Sequence, residues 1–144
     1  MVREREPLSV VVTTFNSAAT LERCLASVAW ADDIVVLDSG STDVTVEIAA
    51  KFRARVFSEP FRDYAMQKQS AIDKAAHAWV LLLDSDEVVT AAARPVIEAA
   101  LEPLEARGII VAERGRVRVR DRNVLRYYAR TLDHLLASPS RRTH

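Results

Sequence analysis

Residues 79–86 read Trp-Val-Leu-Leu-Leu-Asp-Ser-Asp and carry the strongest structural signal in the chain. Five apolar residues without a polar break predict a strand that is buried on both faces. Asp84 and Asp86 follow where such a strand leaves its sheet. Residues two apart in an extended chain point the same way, so both carboxylates are expected to face one crevice at the carboxyl edge of a sheet.

This carboxylate pair also predicts a ligand. Oxygen ligands suit Mg²⁺ or Mn²⁺, and ions of this kind are often bound together with phosphate groups. A diphosphate is therefore the expected ligand at this edge. The pair taken alone fits equally well a solvent-exposed loop that holds two acids by chance, because short motifs often match by chance.

The rest of the first hundred residues alternates between apolar runs and helix-like periodicity. Strands are predicted over residues 8–13, 34–37, 55–57 and 79–83. The stripe Leu21-Leu25-Val28 predicts a first helix, with Asn16 and Ser17 as caps, and the stripe Val44-Ile48-Phe52 predicts a second. A third helix is predicted over 64–76, with Ala65, Gln69, Ile72 and Ala76 near one face. A fourth is predicted from about Pro95 to Leu101. This alternation predicts an α/β fold, a doubly wound and mostly parallel sheet with helices on both faces.

Several strands end in polar residues, namely Thr13 and Thr14, Asp38, and Asp84 with Asp86. The carboxyl ends of parallel strands meet at one edge of a doubly wound sheet. We therefore expect these side chains to form one ligand-binding group.

Three segments resemble the nucleotide-binding half of the family 2 glycosyltransferases, which has the GT-A fold. They are residues 9–16 (Ser-Val-Val-Val-Thr-Thr-Phe-Asn), 38–43 (Asp-Ser-Gly-Ser-Thr-Asp) and 83–87 (Leu-Asp-Ser-Asp-Glu). The pair Gln67-Lys68, just before the fourth strand, is similar to a pair in the branch that builds lipopolysaccharide cores. The resemblance covers roughly residues 7–101.

The resemblance implies a set of nucleotide-binding residues: Thr13, Thr14, Asn16, Asp38, Ser41, Lys68 and Asp84. It also implies that Asp86, with Asp84, ligates Mn²⁺ or Mg²⁺. In this arrangement Asp38 would accept the imide N–H of a uracil, and the metal and Lys68 would balance the charge of the diphosphate. The alternatives are that Asp38 caps the following helix and that Lys68 is a solvated surface charge.

The activity implied is the transfer of a sugar, expected from a UDP-sugar, to a saccharide or lipid-linked acceptor in cell-envelope polysaccharide or lipopolysaccharide synthesis. An inverting transferase needs a general base. The family that the chain resembles supplies it from an acidic residue in its second half, often with a later Gln-x-x-Arg-Trp segment. That segment has no match in this chain, since no Gln follows Gln69 and no Trp follows Trp79. The catalytic residues are therefore unknown. The chain is expected to be either a truncated or frameshifted transferase or a non-catalytic module that binds a nucleotide sugar or a partner.

Two other classes of enzyme match less of the chain. Residues 83–88 fit the haloacid-dehalogenase phosphatase signature, but that family places its motif on the first strand and needs more chain than the 58 residues after Asp86. A dinucleotide site is disfavoured because no Gly-x-Gly-x-x-Gly follows the first strand.

Composition places the 144 residues in one globular domain at most, with 49% hydrophobic and 28% charged residues. The single cysteine, Cys24, excludes an internal disulfide and is expected to be a buried apolar residue. No apolar run reaches the roughly 18 residues of a membrane span and no signal peptide is recognised, so the expected location is the cytoplasm. No nucleic-acid partner is expected.

The last third of the chain differs in charge from the rest. Residues 1–101 hold ten basic and fifteen acidic residues, whereas residues 102–144 hold ten and five. We divide the chain into a nucleotide-diphospho-sugar-binding domain over 1–108 and a basic extension over 109–144, with strands near 109–112 and 116–120. A helix predicted over 123–137 is amphipathic and basic, which suits peripheral contact with the inner face of an anionic membrane, packing on the domain, or contact with a second copy of the chain.

Overall fold

The computed structural model describes residues 5–101 and the backbone of residues 110–113, 116–119 and 136–137. The first strands and helices alternate along the chain: β1 (Leu8–Thr14), α1 (Leu21–Ala26), β2 (Asp33–Asp38), α2 (Thr45–Lys51), β3 (Arg55–Ser58), α3 (Tyr64–Asp73) and β4 (Trp79–Asp84). They are followed by β5 (Val88–Val89), α4 (Ala93–Ala100), β6 (Ile110–Glu113), β7 (Arg116–Val119) and β8 (Leu136–Ala137).

The main sheet is parallel and has the strand order β3-β2-β1-β4. Its register aligns Thr14 of β1 with Asp38 of β2, and Thr13 of β1 with Asp84 of β4. The polar ends of three strands therefore lie side by side at one edge of the sheet, which confirms the predicted grouping of the strand ends.

Alternate residues of β1 contribute to two separate cores. Val10 and Val12 pack with residues of α1, α2 and α4 on one face of the sheet. Val11 packs on the other face with Ala71 of α3. Helices therefore cover both faces, as a doubly wound fold requires, and the fold prediction is confirmed.

The prediction that the fourth strand is buried on both faces is wrong. In β4 only Leu83 is buried, and the residues from Trp79 to Leu82 are half-buried. β1 pairs with one side of β4, and none of the described strands pairs with its other side. An apolar run marks a strand, but its position within the sheet depends on pairing that the run does not encode.

The predicted face of α3 is also wrong. Ala65, Gln69 and Ala76 are exposed, and the helix ends at Asp73. The buried residue of this helix is Ala71, beside the half-buried Ile72. Asp63 caps the helix, since its side chain accepts a hydrogen bond from the Met66 amide at 2.7 Å. In this orientation of α3, Gln67 and Lys68 face the carboxyl edge of the sheet.

The first helix begins later than its predicted caps, and the second begins after the first residue of its predicted stripe. Thr20 precedes α1 without a side-chain capping bond, while Asn16 and Ser17 make contacts across a loop. Val44, predicted within the apolar stripe of α2, is 56% exposed because it precedes the first helical turn.

The basic extension is described only in part. β6 and β7 form an antiparallel hairpin, which confirms the two predicted strands. β8 pairs antiparallel with β5, so the predicted helix does not extend to residues 136–137. The rest of that helix and the predicted domain boundary at residue 108 lie outside the described residues. None of the described helices is long and apolar enough to cross a membrane.

Candidate functional site

A cavity of about 480 Å³ opens at the carboxyl edge of the main sheet. This volume lies in the range of small-molecule sites. Its walls come from the ends of β1, β2 and β4 and from the first turns of α3: Thr13, Thr14, Phe15, Ser17, Ser39, Phe61, Tyr64, Gln67, Lys68, Asp84 and Ser85. Four of the residues predicted to bind a nucleotide are among them, namely Thr13, Thr14, Lys68 and Asp84. Asn16, Asp38, Ser41 and Asp86 do not line the cavity.

Asp38 lies beneath the cavity and is 2% exposed. One carboxylate oxygen accepts hydrogen bonds from the hydroxyls of Thr14 at 2.7 Å and Ser41 at 2.5 Å. The other accepts from the backbone amides of Gly40 at 3.0 Å and Ser41 at 2.8 Å. A carboxylate has about four acceptor positions, so the predicted contact with a base would require one of these donors to be displaced.

The same bonds set the ionisation of Asp38. Burial alone would raise its pKa, but the hydroxyl and backbone amide of Ser41, the Thr14 hydroxyl and the Gly40 backbone amide stabilise the charged form and hold the pKa below its ordinary value. Asp38 thus fixes the turn 39–41, in which Gly40 has a φ of 93° that favours glycine. This turn forms part of the cavity wall at Ser39.

Asn16 and Ser41 join the loop after β1 to the loop after β2. The backbone amide of Asn16 donates to Ser41 Oγ at 2.8 Å, and the side-chain oxygen Asn16 Oδ1 accepts from the backbone amide of Thr42 at 2.8 Å. Asn16 has a φ of 46°, a left-handed conformation that asparagine tolerates better than most residues. In the described structure both residues therefore position the loops around the cavity.

Lys68 and Asp84 form an ion pair on the cavity wall. Lys68 Nζ lies 3.7 Å from Asp84 Oδ1, and the two side chains are 40% and 49% exposed. The Asp84 backbone amide donates to Glu87 Oε1 at 2.9 Å, which orders the turn that carries Asp86. A cation and an anion therefore face the same solvent-accessible space, where each can meet a ligand of opposite charge.

Asp84 and Asp86, the carboxylates at the end of β4, are the described residues that could hold a divalent cation together with a phosphate ligand. Asp84 reaches the cavity and remains half-exposed, and Asp86 follows two residues later in the turn. Within the described part of the chain, no group of three His, Cys, Asp or Glu residues is placed to hold a metal ion by itself. Mg²⁺ is typically held by one or two protein carboxylates together with substrate phosphates, so two carboxylates meet this requirement when a diphosphate is present.

Three exposed aromatic residues at the cavity were not identified from the sequence. Phe15 is 61%, Phe61 49% and Tyr64 75% exposed. The rings of Phe61 and Tyr64 meet edge to face with centroids 5.1 Å apart. The signal for Phe15 was its position directly after the first strand. Exposed aromatic rings beside a cavity offer flat surfaces on which a nucleobase can stack.

Cys24 lies behind the site rather than in it. Its thiol is buried, with Sγ 3.7 Å from the Asp84 carbonyl oxygen. Burial, followed by the charges of Glu87, Asp86 and Asp84, raises its pKa to about 12. The thiol therefore stays protonated and unreactive near neutral pH, which confirms its predicted role as a buried residue.

Comparison with known proteins identifies the chain's relatives. Residues 9–140 match the model of the family described as glycosyl transferase family 2, well beyond residue 101 where the resemblance in the sequence ended. The lipopolysaccharide core biosynthesis glycosyltransferase LpsC of Rhizobium meliloti (strain 1021) is 35% identical over 96 residues, which is 63% of this chain and 36% of LpsC.

Two solved structures share the fold. The crystal structure of S. aureus TarS residues 1–349 in complex with UDP superposes with a TM-score of 0.52 at 27% identity, over 65% of this chain and 31% of that one. Glucosyl-3-phosphoglycerate synthase from Mycobacterium tuberculosis, in complex with Mn²⁺, UDP and phosphoglyceric acid, gives 0.51 at 30% identity, over 58% and 34%. The chain spans about a third of the length of the relatives it matches.

Proposed function

The chain belongs to glycosyl transferase family 2, and we propose that its described part binds the nucleotide-diphosphate sugar donor, with UDP as the nucleotide. The observation that carries this proposal is the cavity at the carboxyl edge, where Lys68 and Asp84 face the same space. Two similar structures that contain UDP support this choice of nucleotide.

The proposed roles follow from which side chains reach the cavity. Lys68 provides positive charge for the diphosphate. Thr13, Thr14 and the ring of Phe15 contact the nucleoside, while Asp84 contacts the ribose and, with Asp86, the metal. Asn16, Asp38 and Ser41 act indirectly in this proposal, by holding the loops that form the cavity wall.

Mn²⁺ or Mg²⁺ is the proposed cofactor, held by Asp86 and Asp84. Such an ion, when bound, neutralises the diphosphate and stabilises it as a leaving group. One similar structure contains Mn²⁺ together with UDP.

The acceptor is proposed to be a saccharide or a lipid-linked saccharide of the cell envelope, on the basis of the relative named for lipopolysaccharide core synthesis. The cytoplasm, with peripheral contact at the inner face of the membrane, is the location proposed with it. Transfer by the purified chain to a lipopolysaccharide-core acceptor tests this part, and UDP binding without any transfer or sugar release would favour a donor-binding module.

The donor site is tested by titrating the protein with nucleoside diphosphates in a calorimeter, with and without Mn²⁺. We expect UDP to bind, and to bind roughly 5- to 150-fold more tightly with Mn²⁺, the usual range of coupling between two ligands of one protein. UDP-sugars should compete with UDP. Failure of every nucleoside diphosphate to bind in the presence of Mn²⁺ would overturn the proposed function.

Replacement of Phe15 should weaken UDP binding without weakening the fold. Stacking of a base on an aromatic ring contributes about 1–3 kcal/mol, so Phe15→Ala is expected to reduce UDP affinity roughly 5- to 150-fold. The ring is largely exposed, and thermal unfolding should change little. Val44→Ala is the matched control, because Val44 is similarly exposed and does not line the cavity. Equal UDP affinities for the two variants would exclude stacking on Phe15.

A further inference from the structure

We infer that Lys68 couples metal binding to nucleotide binding, because it pairs with Asp84 until a bound diphosphate replaces Asp84 as its partner. This inference rests on the proposed function. It goes beyond it by assigning Lys68 two successive partners, and by making the exchange between them a source of the coupling between cation and nucleotide.

The geometry of the pair supports an exchange rather than a permanent bridge. At 3.7 Å, Lys68 Nζ and Asp84 Oδ1 are within ion-pair range but beyond an ordinary hydrogen bond. The two side chains are 40% and 49% exposed, so neither is locked in place by packing. A half-exposed pair of this kind contributes little free energy, and a stronger partner can replace either member.

Lys74, a second lysine near α3, is held by its partners more firmly than Lys68. Lys74, directly after α3, binds Glu59 Oε1 at 2.7 Å and Ser70 Oγ at 2.9 Å. It does not line the cavity. Lys74 is therefore a fixed structural cation, whereas Lys68 faces the ligand space and its one acidic partner among the described residues is Asp84 at 3.7 Å.

Competition for Asp84 has a thermodynamic consequence. Without nucleotide, Lys68 and a divalent cation compete for the same carboxylate, and the affinity for the cation is reduced. A diphosphate offers Lys68 several charged oxygens, so Asp84 becomes available when the nucleotide is bound. Linkage requires the coupling to be reciprocal: UDP raises the affinity for Mn²⁺, and UDP affinity in the presence of Mn²⁺ rises by the same factor.

The test is to measure Mn²⁺ binding by electron paramagnetic resonance and UDP binding by calorimetry in the wild type and in Lys68→Met. Without UDP, the variant should bind Mn²⁺ roughly two- to fivefold more tightly, as expected when an exposed ion pair is removed. Its UDP affinity should fall by about 10-fold or more, because a charge-assisted contact is lost. The factor by which UDP increases Mn²⁺ affinity should shrink accordingly.

Two variants serve as controls. Lys68→Arg keeps the positive charge and should bind Mn²⁺ like the wild type. Lys74→Met removes a nearby charge that does not pair with Asp84, and both affinities should stay near the wild-type values. Thermal unfolding checks that all three variants are folded.

The outcomes separate this inference from the proposed function. If the wild type binds UDP but Lys68→Met leaves Mn²⁺ affinity unchanged or weaker, or if Lys74→Met raises it equally, the exchange does not occur and the inference fails alone. If the wild type binds no UDP with Mn²⁺ present, the proposed function and this inference fail together.

Discussion

The Asp86→Asn variant is expected to bind UDP equally well with and without Mn²⁺. An amide oxygen is a much weaker ligand for a hard divalent cation than a carboxylate, and the substitution keeps the shape of the side chain. The Mn²⁺-dependent gain in UDP affinity, roughly 5- to 150-fold in the wild type, should therefore disappear. Calorimetric titration of UDP into both proteins, without Mn²⁺ and with Mn²⁺ at the concentration that saturates the wild type, measures this gain.

This loss should occur in a protein that folds normally. Among the described residues the Asp86 side chain has no hydrogen-bond or ion-pair partner, so the free energy of unfolding should change by no more than about 0.5 kcal/mol. Asp73→Asn is the control, an exposed acid of α3 that lies away from the cavity. A Mn²⁺-dependent gain that persists in Asp86→Asn would show that Asp86 is not a metal ligand.

The fold was predictable because its strands are long apolar runs. Within residues 8–13 and 34–37 the only interior polar residue is Ser9, and the segments between the strands have helical periodicity. In contrast, α3 contains small and polar residues at most positions, so several faces were compatible with its sequence. Its true face became evident only from the packing of Ala71 against β1 and β2.

The site was predictable to the extent that it depends on strand ends. Thr13, Thr14 and Asp84 line the cavity because a parallel sheet brings the carboxyl ends of neighbouring strands together. The roles of Asn16 and Ser41 depend on how two loops meet, at a separation of 25 residues along the chain. Local sequence does not specify such a contact, nor the exposure of Phe61 and Tyr64.

In the proposed site Asp38 acts by stabilising the cavity wall rather than by contacting the ligand. Its carboxylate connects the end of β1 at Thr14 with the turn after β2, and both segments line the cavity. A ligand that binds between these loops finds them already ordered, so less entropy is lost on binding.

Substitution of Asp38 should accordingly produce the largest loss of stability in the site. Asp38→Ala leaves two hydroxyls and two amides without their acceptor, and we expect the free energy of unfolding at pH 7 to fall by about 3–5 kcal/mol. Asp38→Asn should cost less, about 1–3 kcal/mol. The asparagine side chain keeps one acceptor oxygen for the backbone amides, and the hydroxyls of Thr14 and Ser41 can rotate to accept hydrogen bonds from its NH₂ group. Urea unfolding measures both losses.

The loss should depend on pH in a direction set by the lowered pKa of Asp38. A carboxylate whose folded-state pKa lies below its unfolded value stabilises the protein above about pH 4, and this contribution disappears as the pH falls through the folded-state pKa. The difference between the wild type and Asp38→Asn should therefore be full at pH 7 and smaller at pH 3. Glu98→Gln removes an exposed acid paired with Arg94 at 2.8 Å and should cost only about 0.3–0.5 kcal/mol at pH 7. A loss for Asp38→Ala no larger than that control would show that the four hydrogen bonds do not hold the turn.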